Sequence, residues 1–338
     1  MMKYWQIAAG SEGRDYSEDF LRFGMAFVGD KSPMKRLSEV EIGDRIILKR
    51  GMSRIVAAGE VVQRGGQHRG ENDKLWLMDF DGWELPGYCF VDWHEPEKAS
   101  KKTFLPKGLT RGTIQNVGNQ ELRDLADDII SSYKVRKKRD PEPKQTNVVE
   151  DRRIIDYLIY QGLRPGSAEE LTSTFNRIRL LARYYRRYHR WEDIREHETR
   201  TFLVIPLLLA LGWAEQQIKI EFPVVGSRGR ADIACFSRPF TGKNEECVLI
   251  VETKGFSQGL DFARRQVEQY AEEFENCRVV VASNGDRYKA WTRLDSGWTE
   301  KPAAYLNLLE PRDNYPLDPD NVKGCLEMLR LLLPNSWS

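Results

Sequence analysis

The sequence is poor in residues on which several kinds of chemistry depend. Among its 338 residues are only four histidines, at 68, 94, 189 and 197, which leaves little basis for a site built on several imidazoles. Five cysteines (Cys89, Cys235, Cys247, Cys277, Cys325) are scattered, odd in number and without a Cys-x-x-Cys pair. Reduced core thiols are therefore expected, rather than a zinc site or a disulfide framework. No Gly-x-x-x-x-Gly-Lys-Ser/Thr stretch occurs, which argues against a motor and a nucleotide cofactor. The longest apolar run, residues 202–211, contains Pro206 and is half of the ~20 residues needed to span a bilayer. The first six residues show neither the basic start nor the apolar stretch of a secretion signal. A cytoplasmic protein with no membrane partner is expected. With 52 basic and 51 acidic residues, the net charge of +1 gives no overall bias toward polyanions.

What is present is the composition of a folded protein, 41% hydrophobic and 30% charged, with a length suited to two domains. Residues 3–9, 44–50, 54–63, 74–80 and 88–94 are short β-prone runs separated by turns such as Gly51-Met52 and Gly65-Gly66, with a short helix over 17–23. They predict a small, partly closed β-barrel within residues 1–117. Residues 118–192 read as a helical connector, with a basic, proline-containing linker over 133–150 and helical periodicity over 151–163 and 168–191. From 193 to 338 the order is helix (196–211), strands (218–222, 230–236, 248–254), helix (260–275) and strands (278–283, 288–293). The fold class is thus α/β multidomain: an N-terminal β-barrel, a helical connector and a C-terminal mixed sheet flanked by helices.

Strand alternation puts Glu252 and Lys254 on one face at the end of the apolar run 248–251, and Asp232 stands on a neighbouring apolar strand. Carboxylates that hold a hard divalent cation, beside an ammonium that positions or deprotonates water, are what phosphodiester hydrolysis requires. An isolated Glu-x-Lys is more often an inert ion pair. Here it stands in an ordered set: Glu198-Thr199-Arg200, Leu211-Gly212-Trp213, Gly229-Arg230-x-Asp232, Glu252-x-Lys254, Gln266-x-x-x-Tyr270 and Ser283-Asn284-Gly285. This set resembles the PD-(D/E)xK nuclease superfamily, most closely the N-terminal nuclease domain of type I restriction enzyme R subunits. The resemblance implies catalytic roles for Asp232, Glu252, Lys254, Glu198, Gln266 and Tyr270, with Mg²⁺, or Mn²⁺ in its place, on Asp232, Glu252 and Glu198. Glu196, two residues earlier, is the alternative helix carboxylate.

In the N-terminal part, Tyr4-Trp5-Gln6, Gly43-Asp44-Arg45-Ile46-Ile47 and Ala58-Gly59-Glu60-Val61 resemble the PUA-like barrels of the EVE and YTH type. That resemblance implies recognition of a modified base flipped into an aromatic pocket, where stacking of ~1–3 kcal/mol per base offsets extrusion. Trp5, Tyr16, Trp76, Trp83 and Trp93 are the candidate aromatics. Asp81, with Asp79, Ser11 and Asn72 as alternatives, is the candidate reader of the base edge. Arg14 is a candidate phosphate clamp.

Six arginines and no acidic residue lie between 177 and 190. Arg179, Arg183, Arg186 and Arg190 recur at helical spacing as a stripe for a DNA backbone. The expected protein is a Mg²⁺-dependent endodeoxyribonuclease acting against phage, whose substrate is double-stranded DNA carrying a modified base, with cytosine favoured. It would act as a homodimer to cut both strands. A repair or RNA-processing nuclease, and a non-catalytic binder of modified nucleic acid, are the alternatives.

Overall fold

A computed structural model describes residues 2–10, 14–52, 54–96, 108–187, 194–224, 229–256, 258–260 and 263–337. Two compact units divide between Pro143 and Lys144.

The first unit contains β1 (Tyr4–Ala8), α1 (Ser17–Phe23), β2 (Met25–Val28), α2 (Lys31–Leu37), β3 (Arg45–Arg50), β4 (Arg54–Val61), β5 (Arg69–Glu71), β6 (Gly87–His94), β7 (Ile114–Asn116) and α3 (Gln120–Ser132). Its mixed sheet runs β2-β6-β4-β3-β1-β7, with β5 also on β6; β1 and β3 pair in parallel. The sheet curls. Helix α2 packs on β6 near one end of this order and on β7 at the other, and Arg36 donates to the Ile114 carbonyl at 3.0 Å. Leu122, Ala126 and Ile129 of α3 close over Ile47, Ile55 and Ala58 of the sheet. Residues 74–80, expected as a strand, instead form a 3-10 turn (Leu75–Asp79). Burial of Trp76 against Phe23, Phe27 and Phe80 needs a compact turn, which no sheet neighbour competes to extend.

The second unit contains α4 (Asp151–Tyr160), α5 (Pro165–Arg187), α6 (Glu196–Thr199), α7 (Ile205–Ala210), β8 (Ile218–Pro223), β9 (Arg230–Phe236), β10 (Cys247–Thr253), α8 (Ala263–Glu272), β11 (Val279–Ser283), β12 (Arg287–Leu294), β13 (Gly297–Trp298), β14 (Ala304–Asn307) and α9 (Cys325–Leu331). The sheet order is β13-β12-β11-β10-β9-β8, with β14 also on β12; β10 and β11 are parallel and the other pairs antiparallel. All seven residues of β10 are buried, because its alternate side chains feed two cores. Leu249 and Val251 join the core of α4, α5, α7 and α9, whereas Ile250 joins the core shared with α8. Between α6 and α7 the helix widens into one π turn, Arg200–Val204. Pro206 has no N–H for the carbonyl four residues back, so the regular ladder is broken there.

The stretch 118–192, expected as a separate connector, is divided. Helix α3 belongs to the first unit and α4 and α5 to the second. Nor is the expected linker loose. Arg136 pairs with Glu18 and Glu95, Arg139 with Asp92, and the Asp140 amide donates to the Arg22 carbonyl at 2.7 Å. Beyond Pro143, Lys144 pairs with Asp320, and Asn147 is held by Asp313. All five cysteines are buried free thiols. No helix among the described residues is long and apolar enough to cross a membrane.

Candidate active site and candidate base pocket

In the second unit, Asp232 and Glu252 project from adjacent strands on the sheet face that Ile250 and Ala234 share with α8. Glu196 on α6 completes the group: ligand oxygens of Glu196, Asp232 and Glu252 all lie within 4.8 Å of one another. The helix acid that the structure brings to Asp232 and Glu252 is thus Glu196, the alternative, and Glu198 stands outside this cluster. Two residues along a helix is a turn of about 200°, so the two acids point in nearly opposite directions. Glu198 sits where its charge, after burial, helps push the Tyr185 phenol up; its Oε2 is buried without a hydrogen-bond partner.

Asp232 is fixed on both oxygens. One accepts from the buried Arg200 guanidinium at 3.0 Å, the other from the Thr253 amide at 2.7 Å and its hydroxyl at 2.8 Å. Arg200 also donates to Glu221 at 2.6 Å. Lys254 Nζ donates to Glu252 at 2.7 Å and to the Gln266 side-chain oxygen at 3.3 Å, and Gln266 in turn donates to Tyr270 Oη at 3.2 Å. The glutamine-to-tyrosine spacing of four thus forms a relay on one face of α8 that ends on the lysine. A β-carbon at Gly229 would stand 2.4 Å from Tyr270 Oη, so this position must be glycine for the phenol to lie where it does. At Gly285, with φ +100°, a β-carbon would lie 2.3 Å from Leu203; the glycine lets the π turn seat on the β11–β12 turn.

The electrostatics are strained in one direction. Burial first, then Asp232, pushes the Glu252 carboxyl up to about 7, against Lys254. Burial and Asp232 likewise push Glu196 up to about 7. Burial pulls the Lys254 ammonium down, but Glu252, Glu196 and Asp232 outweigh it and the net shift is upward. Glu252 Oε2 is buried with no hydrogen-bond partner. Three clustered oxygen donors, an unpartnered carboxylate oxygen and crowded negative charge fit a hard divalent cation.

In the first unit, a cavity of about 380 Å³ is lined by Tyr16, Phe20, Phe27, Val28, Lys49 and Trp83, among others. Of the predicted pocket residues, Tyr16 and Trp83 reach it, and Arg14 lines it with its guanidinium 3.8 Å from the Trp83 ring centroid. Trp5, Trp76, Trp93 and Asp81 do not line it. Trp5 donates to Asp44 at 2.9 Å, Trp93 to the Met25 carbonyl at 3.3 Å, and Trp76 lies in the aromatic core. Asp81 is buried in a turn with φ +54°. Asp79 accepts from the Gly82 amide, and Asn72 is an exposed turn residue; Ser11 lies outside the described residues. Lys49 and Arg111 line the cavity without having been predicted. In the run Ile46-Ile47-Leu48-Lys49, buried throughout, a lysine near the strand end reads as a solvent-facing tip, so alternation gave no signal for it.

The arginine stripe is split by α5. Arg179 is bidentate to Asp151, at 2.5 and 2.7 Å, and donates to the Leu308 carbonyl; Arg186 donates to the buried Asp286 at 2.9 Å. Both are committed inside the unit. Arg183 is exposed, together with Arg177 and Arg187. Arg190 lies outside the described residues.

No curated protein matches the chain. Among solved structures, the human THYN1 protein in complex with 5-methylcytosine-containing DNA aligns with 38% of this chain and 97% of its own, at 12% identity and a TM-score of 0.24. Residues 195–301, which include the three carboxylates, Lys254, Gln266 and Tyr270, are similar to the type I restriction enzyme R protein N terminus and match that family's model.

Proposed function

We propose that the chain is a modification-dependent DNA endonuclease, with a PD-(D/E)xK nuclease fold in the second unit and a PUA-like base-reading barrel in the first. The observation that carries the reading is the Glu196–Asp232–Glu252 cluster with Lys254 held against it. Those carboxylates would hold Mg²⁺ or Mn²⁺, which when bound lowers the pKa of water and screens charge on the phosphate. Arg200 and Thr253 orient Asp232, so its position does not depend on the ion. Lys254, anchored by Glu252 and Gln266, stands where it can align the attacking water and donate to the phosphate oxygen as charge builds. Cutting both strands together would take two copies of this site. A modified base, cytosine by preference, would enter the cavity beside Tyr16 and Trp83, and restriction of phage with modified DNA is the role that follows.

The test is cleavage of matched DNAs carrying unmodified, 5-methyl, 5-hydroxymethyl or glucosylated cytosine, or N6-methyladenine, with and without Mg²⁺. Metal-dependent cutting of modified DNA alone, lost in Lys254→Ala, is expected. Equal cutting of all DNAs would favour a repair or RNA-processing nuclease. Tight binding without any cut would leave only a binding protein.

A further inference from the structure

The inference rests on the base-reading part of the proposed function and concerns Lys49. This residue is 2% exposed yet lines the cavity. Its ammonium offers three donors. Among the described residues, its hydrogen-bond partner is the Thr110 carbonyl, and no carboxylate lies within ion-pair distance. Asp30 and Glu84 line the same cavity but are exposed at its mouth, as are Met52 and Arg111. The buried apolar part of the lining is Phe20, Phe27 and Val28, each at most 2% exposed, with Tyr16 and the Arg14 guanidinium, 3.8 Å from the Trp83 ring centroid, on the same cavity. Burial accordingly pulls the Lys49 ammonium down from its usual range.

A buried cation without a counter-ion is costly, and it persists where something pairs with it. A pocket meant for a methyl group would be better served by an apolar side chain. A flipped pyrimidine enters with the edge opposite its sugar leading, so the C4–C5 side and any C5 substituent travel deepest. We propose that Lys49 selects a pyrimidine whose C5 substituent carries an oxygen acceptor, such as hydroxymethyl or carboxyl, over one carrying a bare methyl. The oxygen accepts from the Lys49 Nζ, and the carboxyl form adds charge pairing.

The experiment is metal-free binding of the full chain to fluorescent duplexes that differ only in one cytosine: unmodified, 5-methyl, 5-hydroxymethyl or 5-carboxyl. The oxygenated bases should bind about ten- to a hundredfold more tightly than 5-methylcytosine, the worth of one hydrogen bond to a charged group. Lys49→Met should abolish that preference and favour the methyl base. Wild-type preference for 5-methylcytosine would overturn the role of Lys49 and leave base reading intact. Equal binding of all four would overturn both. If Lys49→Met does not fold, the wild-type ranking still decides.

Discussion

Replacing Glu252 with Gln separates the cost of the carboxylate cluster from its use. Glu252 is 1% exposed, and its carboxyl is pushed from 4.5 to about 7 by burial and Asp232. Each unit is worth about 1.4 kcal/mol, so ionising this group in the fold costs about 3 kcal/mol. Below pH 4.5 the group is protonated folded and unfolded, and the cost is absent. Between pH 4.5 and 7 the folded chain keeps a proton that the unfolded chain has released, so stability falls as pH rises, and above 7 the loss is complete. Gln mimics the protonated form. Without metal at pH 8, Glu252→Gln should therefore raise the Tm of the second unit by about 6–12 °C, at roughly 2–4 °C per kcal/mol, with little change near pH 4.5. Added Mg²⁺ or Mn²⁺ should reverse the order, because an ion at about a thousand times its Kd stabilises the wild type by about 4.1 kcal/mol and the variant much less. Calorimetry across pH 4.5–8 with and without metal reads all four corners. A variant less stable than wild type at pH 8 without metal, or a difference independent of pH, would refute the reasoning.

Two further tests address the surroundings of the site. Gly229→Ala puts a carbon 2.4 Å from Tyr270 Oη and should loosen the Tyr270–Gln266–Lys254 relay, lowering cleavage ~10- to 100-fold while duplex binding is kept; unchanged cleavage would remove Tyr270 from the argument. Arg179→Ala should cost about 2–3 kcal/mol in a denaturant melt, discounted because Asp151 is a third exposed. Arg183→Ala should leave stability alone and lower the salt dependence of DNA binding by ~0.9 per phosphate contact. The reverse pattern would mean that α5 meets DNA by its other face.

What could be read in advance depended on how strongly local pattern constrains place. The run 248–254 was legible because a strand buried on both faces has few other readings, and it fixed where Glu252 and Lys254 stand. The Gln266–Tyr270 spacing was legible for the same reason on a helix. The choice between Glu196 and Glu198 was not, since both lie in the first turn of α6 and only the helix azimuth, set by packing, separates them. Aromatic residues gave even less. Trp5 and Trp93 donate to groups brought from 39 and 68 residues away, contacts that no local pattern encodes. Arg179 and Arg186 fit a helical stripe by spacing alone, yet their acids, Asp151 and Asp286, stand on other elements. Lys49 was hidden in an apolar strand, where a long stem reads as a solvent-facing tip.

The buried cysteines have a practical side. Burial pushes the Cys89 and Cys325 thiols up to about 12 and raises Cys235 and Cys247 as well, so little thiolate forms near neutral pH. The chain is in effect silent toward maleimides while folded. A single cysteine placed at Met52, half exposed at the cavity mouth, would become the one reactive handle. A dye attached there would report a base entering the cavity in real time, independently of any cut.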